Sequence, residues 1–276
     1  MKLTLLGTGM PWPNPLRAGP SQHLQLGDAS VLVDCGNGAA RRMVEAGIDY
    51  NVDYLFITHM HSDHTVDLAH VLLSGWIQYR KKPWQIIGPS YTQEFVNRII
   101  HAFEEDIRIR RLHDRVGDEV MTPVVREIGH GEVVEGDGWR VTAIEVEHGY
   151  VKPALGFSFE SGGKKIVLSG DTGPSDALIE ASKGADILVH ELTSGDPANC
   201  DKHGPGAAEL NEFRKRIANS HTCSHEIGKI ATQADVKHLV TTHVAPQLDE
   251  AACRTAIELD YSGKLTFGSD LLALET

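Results

Sequence analysis

Tyr54-Leu55-Phe56-Ile57-Thr58-His59-Met60-His61-Ser62-Asp63-His64 is the stretch on which the reading of the whole chain turns. Tyr54 to Ile57 form a short apolar run of the kind that makes a buried strand. The run leads straight into three histidines and one aspartate within six residues. If the strand continues, His59 and His61 at i and i+2 share one face. A tight turn then swings Asp63 and His64 towards a second point. Neutral imidazole and carboxylate suit zinc, and less strongly iron or manganese. The competing reading is a His-rich solvated turn, and the partners downstream argue against it.

Those partners are single polar residues, each following an apolar run. His148 follows Val146-Glu147, Asp171 follows Ile166-Val167-Leu168-Ser169-Gly170, and His243 follows Leu239-Val240-Thr241-Thr242. Each sits at the C-terminal end of a predicted strand, where ligands collect on α/β sheets. Any one alone reads as an ordinary loop residue. The set of seven reads as a metal centre.

Around these motifs, strands are predicted at Lys2–Leu6, Ser30–Cys35, Tyr54–Thr58, Trp84–Ile87, Arg140–Glu147, Gly156–Glu160, Lys165–Ser169, Ile187–Glu191, His238–Thr242 and Leu265–Gly268. Helices are predicted at Ala39–Ala46, Asp67–Arg80, Thr92–Ile107, Ser175–Lys183, Ser224–Ala234 and Asp249–Glu258, with Ser175, Ser224 and Asp249 as N-caps. Glu160 to Lys164 joins two strands as a hairpin. No repeat, low-complexity tract or Gly/Ser linker divides the chain, so residues 1–276 are read as a single α/β domain. Residues 193–222, rich in Gly, Pro, Asn and His around one helical stretch, Ala207–Ile217, are read as an irregular lid or pocket loop.

Composition narrows the function classes. At 276 residues and 41% hydrophobic, the chain has material for a sizeable core. No apolar run approaches the roughly 18–20 residues of a membrane span. The N-terminus reads as a first strand and not a signal peptide. Cys35, Cys200, Cys223 and Cys253 form no CxxC pair, which favours free thiols and a cytoplasmic setting. The net charge of −12 argues against a long polyanionic partner such as nucleic acid without excluding it, even after two zinc ions offset roughly four charges.

In order, His59-Met60-His61-Ser62-Asp63-His64, His148, Ser169-Gly170-Asp171-Thr172 and His243 resemble the metal motifs of the metallo-β-lactamase superfamily. The resemblance runs through almost the whole chain and includes Leu6-Gly7-Thr8-Gly9 and Val33-Asp34-Cys35-Gly36. His190-Glu191-Leu192-Thr193 and Ser220-His221-Thr222 resemble elements of the branch that holds ribonuclease Z, arylsulfatase-like hydrolases and small cyclic phosphodiesterases. The resemblance implies an αββα sandwich, with two mixed sheets flanked by helices and two Zn2+ ions, Mn2+ or Fe2+ being alternatives. It also implies a homodimer.

By the same resemblance, His59, His61 and His148 hold one metal, Asp63, His64 and His243 hold the other, and Asp171 bridges both. Asp63 is also the implied proton acceptor. His190 and His221 are candidates for protonating a leaving group or binding an anionic oxygen, and Glu191 for orienting His190. Asp34 and Asp67 are read as orienters or caps.

The expected activity is hydrolysis of a small or medium ester-type substrate: carboxyl ester, lactone, sulfate ester or cyclic phosphodiester. Val151-Lys152-Pro153-Ala154-Leu155-Gly156-Phe157 is similar to arylsulfatase-like sequences and supports that choice. A ribonuclease Z-type tRNA 3′-processing endonuclease ranks second. The 22 residues between His148 and Asp171 leave no room for the tRNA-gripping arm of the common type, and the acidic total opposes tRNA capture. An iron-dependent redox enzyme on the same fold ranks third, because His61 stands where flavodiiron relatives carry glutamate.

Overall fold

A computed structural model of the chain describes residues 1–114, 118–193 and 220–276. The chain divides into two compact units, Met1–Ile128 with Asp270–Glu275, and Gly129–Ser269.

The first unit is built on a seven-stranded mixed sheet. Its strands are β1 (Lys2–Gly7), β2 (Ser21–Leu26), β3 (Ala29–Val33), β4 (Tyr54–Phe56), β5 (Gln85–Gly88), β6 (Val124–Glu127) and the C-terminal β14 (Leu272–Glu275), in the order β14-β1-β2-β3-β4-β5-β6. The pairs from β14 to β3 are antiparallel and those from β3 to β6 are parallel. Val31-Leu32-Val33, Leu55-Phe56 and Ile86-Ile87 are buried through and through, the continuous apolar pattern that parallel strands require. Helices α1 (Ala39–Glu45) and α3 (Leu68–Ile77) supply Met43, Leu68, Leu72 and Trp76 to the core beside Leu32 and Leu55. Between them lies a one-turn helix, α2 (Ser62–Thr65), inside the histidine motif itself.

The second unit repeats the plan: a sheet in the order β13-β12-β11-β10-β9-β8-β7. Its strands are β7 (Val133–Gly136), β8 (Trp139–Glu145), β9 (Leu155–Ser161), β10 (Lys164–Leu168), β11 (Ile187–Glu191), β12 (His238–Thr242) and β13 (Lys264–Phe267). Pairs from β7 to β10 are antiparallel and those from β10 to β13 are parallel. Helices α6 (Asp176–Ala181), α7 (Ser224–Gln233) and α8 (Glu250–Glu258) pack Leu178, Ile227, Ala231 and Ile257 against Val167, Leu188 and Leu239. The expected class, two mixed sheets flanked by helices, is what the chain forms. Among the described residues no helix is long and apolar enough to cross a membrane.

Local chemistry explains most of the boundaries. Gly162 and Gly163 both take positive φ, 58° and 72°, so Ser161 pairs with Lys164 across a two-residue hairpin whose twist suits the strands. Ser175 and Asp249 cap their helices as expected, accepting from Leu178 N at 3.3 Å and Ala252 N at 3.0 Å. Ser224 does not cap: Cys223 occupies that position, and the Glu226 carboxylate accepts its N–H at 2.9 Å. The helix predicted at Thr92–Ile107 breaks at Phe103 into α4 (Thr92–Ala102) and α5 (Glu104–Asp114), the second opening on three acids that complement its dipole. Most of the loop expected at 193–222, including Ala207–Ile217, lies outside the described residues.

Trp84 shows how tightly the first unit is packed. Its indole is fully buried, with the Arg80 guanidinium 3.9 Å from the ring centroid. Arg80 in turn donates to the carbonyls of Tyr50, Lys82 and Pro83. Burial pushes its pKa down to about 10, so it keeps its charge at neutral pH. A Cβ on Gly75 of α3 would stand 2.5 Å from Trp84 Cζ2. Replacing a helical glycine by alanine normally gains about 1 kcal/mol. Here the clamped indole cannot yield, and overpacking costs about 1–3 kcal/mol. Gly75→Ala is therefore expected to be net destabilising, read as a lower urea midpoint with unchanged m-value.

Candidate metal centre

The first unit carries four of the seven expected ligands on one turn. β4 ends at Phe56, and Ile57 N still donates to Ile87 O at 2.8 Å, so the chain leaves the sheet at Thr58. His59 follows, fully buried, and its Nε2 lies 3.1 Å from His61 Nδ1. The backbone then closes into α2, with Thr65 Oγ1 donating to His61 O at 2.9 Å. That turn brings His64 Nε2 to 3.5 Å from Asp63 Oδ2. Donor atoms of His59 and His61 lie within 4.8 Å of each other, as do those of Asp63 and His64.

Asp34 fixes this turn. It follows β3 in the left-handed region, φ 58°, and is buried. One carboxylate oxygen accepts Thr58 N–H at 2.8 Å; the other accepts the Thr58 hydroxyl at 2.8 Å and His64 Nδ1 at 2.7 Å. A carboxylate is acceptor only, so His64 must carry its proton on Nδ1 and present the Nε2 lone pair outward. Gly36 lets the backbones close in behind: a Cβ there would stand 2.3 Å from Asp63 O. Asp67 acts as a brace, accepting Ala40 N–H at 2.8 Å.

The second unit carries the other three. β8 is followed by His148, whose Nδ1 donates to Ser220 O at 2.8 Å, again leaving Nε2 as the metal-type lone pair. β10 ends in Ser169-Gly170, and Gly170 at φ 61° turns the chain so that Asp171 projects from the strand end. β12 ends in His243, a buried non-glycine residue at φ 56°. His243 Nε2 stands 3.2 Å from Asp171 Oδ2 and His148 Nε2 stands 4.0 Å from it. Asp171 thus stands within reach of both histidines, as a bridging ligand must.

Glu191, at the end of β11, is fully buried and organises this half. Its Oε1 accepts His221 Nδ1 at 2.7 Å and Thr172 N–H at 3.1 Å. The expectation that Glu191 orients His190 is corrected here: His190 Nδ1 donates to the Glu191 backbone carbonyl at 2.8 Å, and the carboxylate holds His221. Strand alternation gives the reason. His190 shares the face of Leu188, which packs against the helices, while Glu191 points the other way. Burial lowers the His190 pKa, consistent with a neutral packed imidazole. His221 stacks on His243 with ring centroids 5.6 Å apart, and donor atoms of Glu191, His221 and His243 all lie within 4.8 Å.

Sequence reasoning did not find Thr58, Ser169, Thr172 or the Ser220 carbonyl. Ser169 Oγ accepts Glu191 N–H at 3.0 Å, and Thr172 Oγ1 accepts Glu147 N–H at 3.1 Å. Small hydroxyls and a backbone oxygen carry no signature of their own beside a histidine motif.

Known proteins fit this geometry. The family described as Anti-Pycsar protein Apyc1 matches residues 1–223. Ribonuclease Z of Mycobacterium bovis is 34% identical over 286 residues, covering 100% of this chain and 98% of that protein. The chain belongs to the metallo-β-lactamase superfamily, in its ribonuclease Z branch. Two solved structures have the same fold. The metallo-β-lactamase fold protein YhfI from Bacillus subtilis has TM-score 0.74 and 18% identity, covering 99% of both chains. The short form of human tRNase Z, ELAC1, has TM-score 0.74 and 24% identity, covering 100% of this chain and 99% of that one. This is a superfamily of metal-dependent hydrolases, and the histidine and carboxylate donors, all buried except His61, fit divalent cations.

Removing Asp34 tests the role assigned to it. Asp34→Ala frees the His64 ring and leaves Thr58 N–H buried without its acceptor. Loss of such an orienter lowers metal affinity about 10–100-fold, and the orphaned donor costs about 1–3 kcal/mol. Metal retained after dialysis against a graded chelator series measures the first, and urea denaturation measures the second.

Proposed function

We propose that the chain is a dinuclear metal-dependent phosphodiesterase of the ribonuclease Z type, cutting precursor tRNA near its 3′ end. The observation that supports it most is 34% identity to ribonuclease Z over the full length of this chain. This reverses the ranking drawn from sequence, which put a small or medium carboxyl ester, lactone, sulfate ester or cyclic phosphodiester first. In this reading, which follows the order of the family's metal motifs, His59, His61 and His148 hold one cation, Asp63, His64 and His243 hold the other, and Asp171 bridges both. It requires both units to act together as the single domain expected for residues 1–276. Zinc, with Mn2+ or Fe2+ as alternatives, a homodimeric state and a cytoplasmic setting belong to the same proposal.

Two divalent cations bound there would supply an activated water and charge neutralisation for the phosphodiester. The rest falls to the protein's side chains. Asp63 accepts the proton released by the attacking water. His221, its Nδ1 held by Glu191, offers Nε2 to protonate the leaving oxygen. His190, turned towards the helices, is replaced by His221 in that role.

A second reading, cleavage of small phosphodiesters, is favoured by the two-residue turn at Gly162-Gly163, where no arm projects. One panel separates the two. Metal-loaded protein is assayed on precursor tRNA, bis-p-nitrophenyl phosphate, p-nitrophenyl sulfate and p-nitrophenyl acetate. Phosphodiesters are expected to turn over in preference to the sulfate and carboxyl esters, with precursor tRNA cleaved at one position. His61→Ala and Asp171→Ala are each expected to lower kcat/KM by roughly 10³-fold or more, since the ligands act as a unit. Turnover of the sulfate or acetate without the diesters would overturn the proposal.

A further inference from the structure

A cleft of about 370 Å³ in the first unit reaches Asp63 from the side of the loop after β1. Its walls are of two kinds. Trp12 and Val66, each 59% exposed, give it an apolar surface, while Asn37, Ser62 and Arg17 give it polar groups. The other three tryptophans are buried, Trp76 and Trp84 completely and Trp139 to 8% exposure. Trp12 is the exception, and it stands between two prolines, Pro11 and Pro13, which both line the cleft.

That setting is informative. Proline fixes φ on both sides of the tryptophan, so the loop offers its indole with less conformational freedom to lose on binding. An indole left in water gains nothing for the fold, and burying it against a flat partner is favourable. Val66 follows directly on α2, the turn that carries Asp63 and His64, so the apolar surface lies beside ligands of the proposed centre. Arg17, hydrogen-bonded to Thr8 Oγ1 at 2.6 Å, places a fixed positive charge in the same cleft. A planar ring, polar atoms at its edge and a neighbouring anion are the features of a nucleotide.

We infer that Trp12 is a stacking platform for a nucleobase of the substrate, placed next to the phosphodiester that Asp63 serves. The inference rests on the phosphodiesterase reading and adds to it a contact for a base beside the scissile phosphate. Stacking of this kind tolerates every base, because each has a π-face, so the platform confers affinity for nucleotides over other diesters and not base identity.

The test compares two substrates with one leaving group. Thymidine 5′-(p-nitrophenyl phosphate) carries a base, and methyl p-nitrophenyl phosphate does not. In the metal-loaded protein, Trp12→Ala is expected to raise KM for the thymidine diester about 5- to 100-fold, with a far smaller change for the methyl diester. Trp12→Phe, which keeps an aromatic face, is expected to recover most of the loss. A second measurement needs no turnover. Thymidine 5′-monophosphate should quench tryptophan fluorescence saturably in the unsubstituted protein, and Trp12→Phe should abolish the quench.

Equal KM changes for both diesters, or no quench, would overturn the platform while leaving phosphodiester cleavage standing. Quenching at Trp12 in a protein that cleaves neither diester would support the platform and remove the phosphodiesterase reading.

Discussion

A buried carboxylate that must be surrounded by donors is the constraint from which each half of the candidate centre follows. An ionised group in the interior is tolerated only where hydrogen bonds replace its water. Asp34 meets that condition with Thr58 N–H, the Thr58 hydroxyl and His64 Nδ1, and Glu191 meets it with His221 Nδ1, Thr172 N–H and Thr222 N–H. In satisfying the carboxylate, the protein fixes a histidine's tautomer and aim. The same contacts that solve a folding problem therefore set the chemistry of the neighbouring ligands. The histidines are held ready, not recruited.

Backbone strain lies at the same positions. Asp34 and His243 are both non-glycine residues in the left-handed region, at φ 58° and 56°, directly after β3 and β12. Residues in that region cost of order 1–3 kcal/mol, and persist where the surroundings over-determine them. Asp34 is over-determined by its three donors. His243 is held by the paired end of β12 directly before it and by its approach to Asp171. The sheet ends are where such strain is affordable, since the ladders of β3 and β12 behind them are complete.

What the sequence made legible follows from burial. The ten expected strands all form, because central strands are continuous apolar runs or clear alternations. Of the four missed strands, β6, β7 and β14 lie at sheet edges and are partly exposed, so no apolar period marks them. The fourth, β2, is buried but polar: Gln22 and His23 sit inside it, and His23 Nε2 pairs with Ser30 Oγ at 2.8 Å across the sheet. The candidate ligands stood out as histidines and aspartates at strand ends. The choice between His190 and His221 was not, because it turns on which faces of β11 His190 and Glu191 take. A one-residue shift reverses that.

The relatives favour the reading that the sequence ranked second, and the reason net charge misdirected that ranking is electrostatic. A formal charge of −12 is a sum over the whole surface, whereas a phosphodiester responds to charges within about a Debye length, roughly 8 Å at physiological salt. Part of the acidic total is already engaged by neighbouring cations outside the motifs: Glu94 with Arg98, Glu105 with Arg108 and Asp106 with Arg110 lie on α4 and α5, and Asp186 is held between Lys164 and Lys237. Asp186 is so well satisfied that its pKa falls to about 2, chiefly through hydrogen bonds from the Lys165 backbone and these two lysines, which outweigh its burial. Charges of that kind neither attract nor repel a substrate at the strand ends. The relevant balance is local, where bound cations would offset the negative charge of Asp63 and Asp171 and where Arg17 stands in the cleft beside Trp12. Net charge therefore speaks to solubility and long-range association and is a poor guide to which anion the centre accepts.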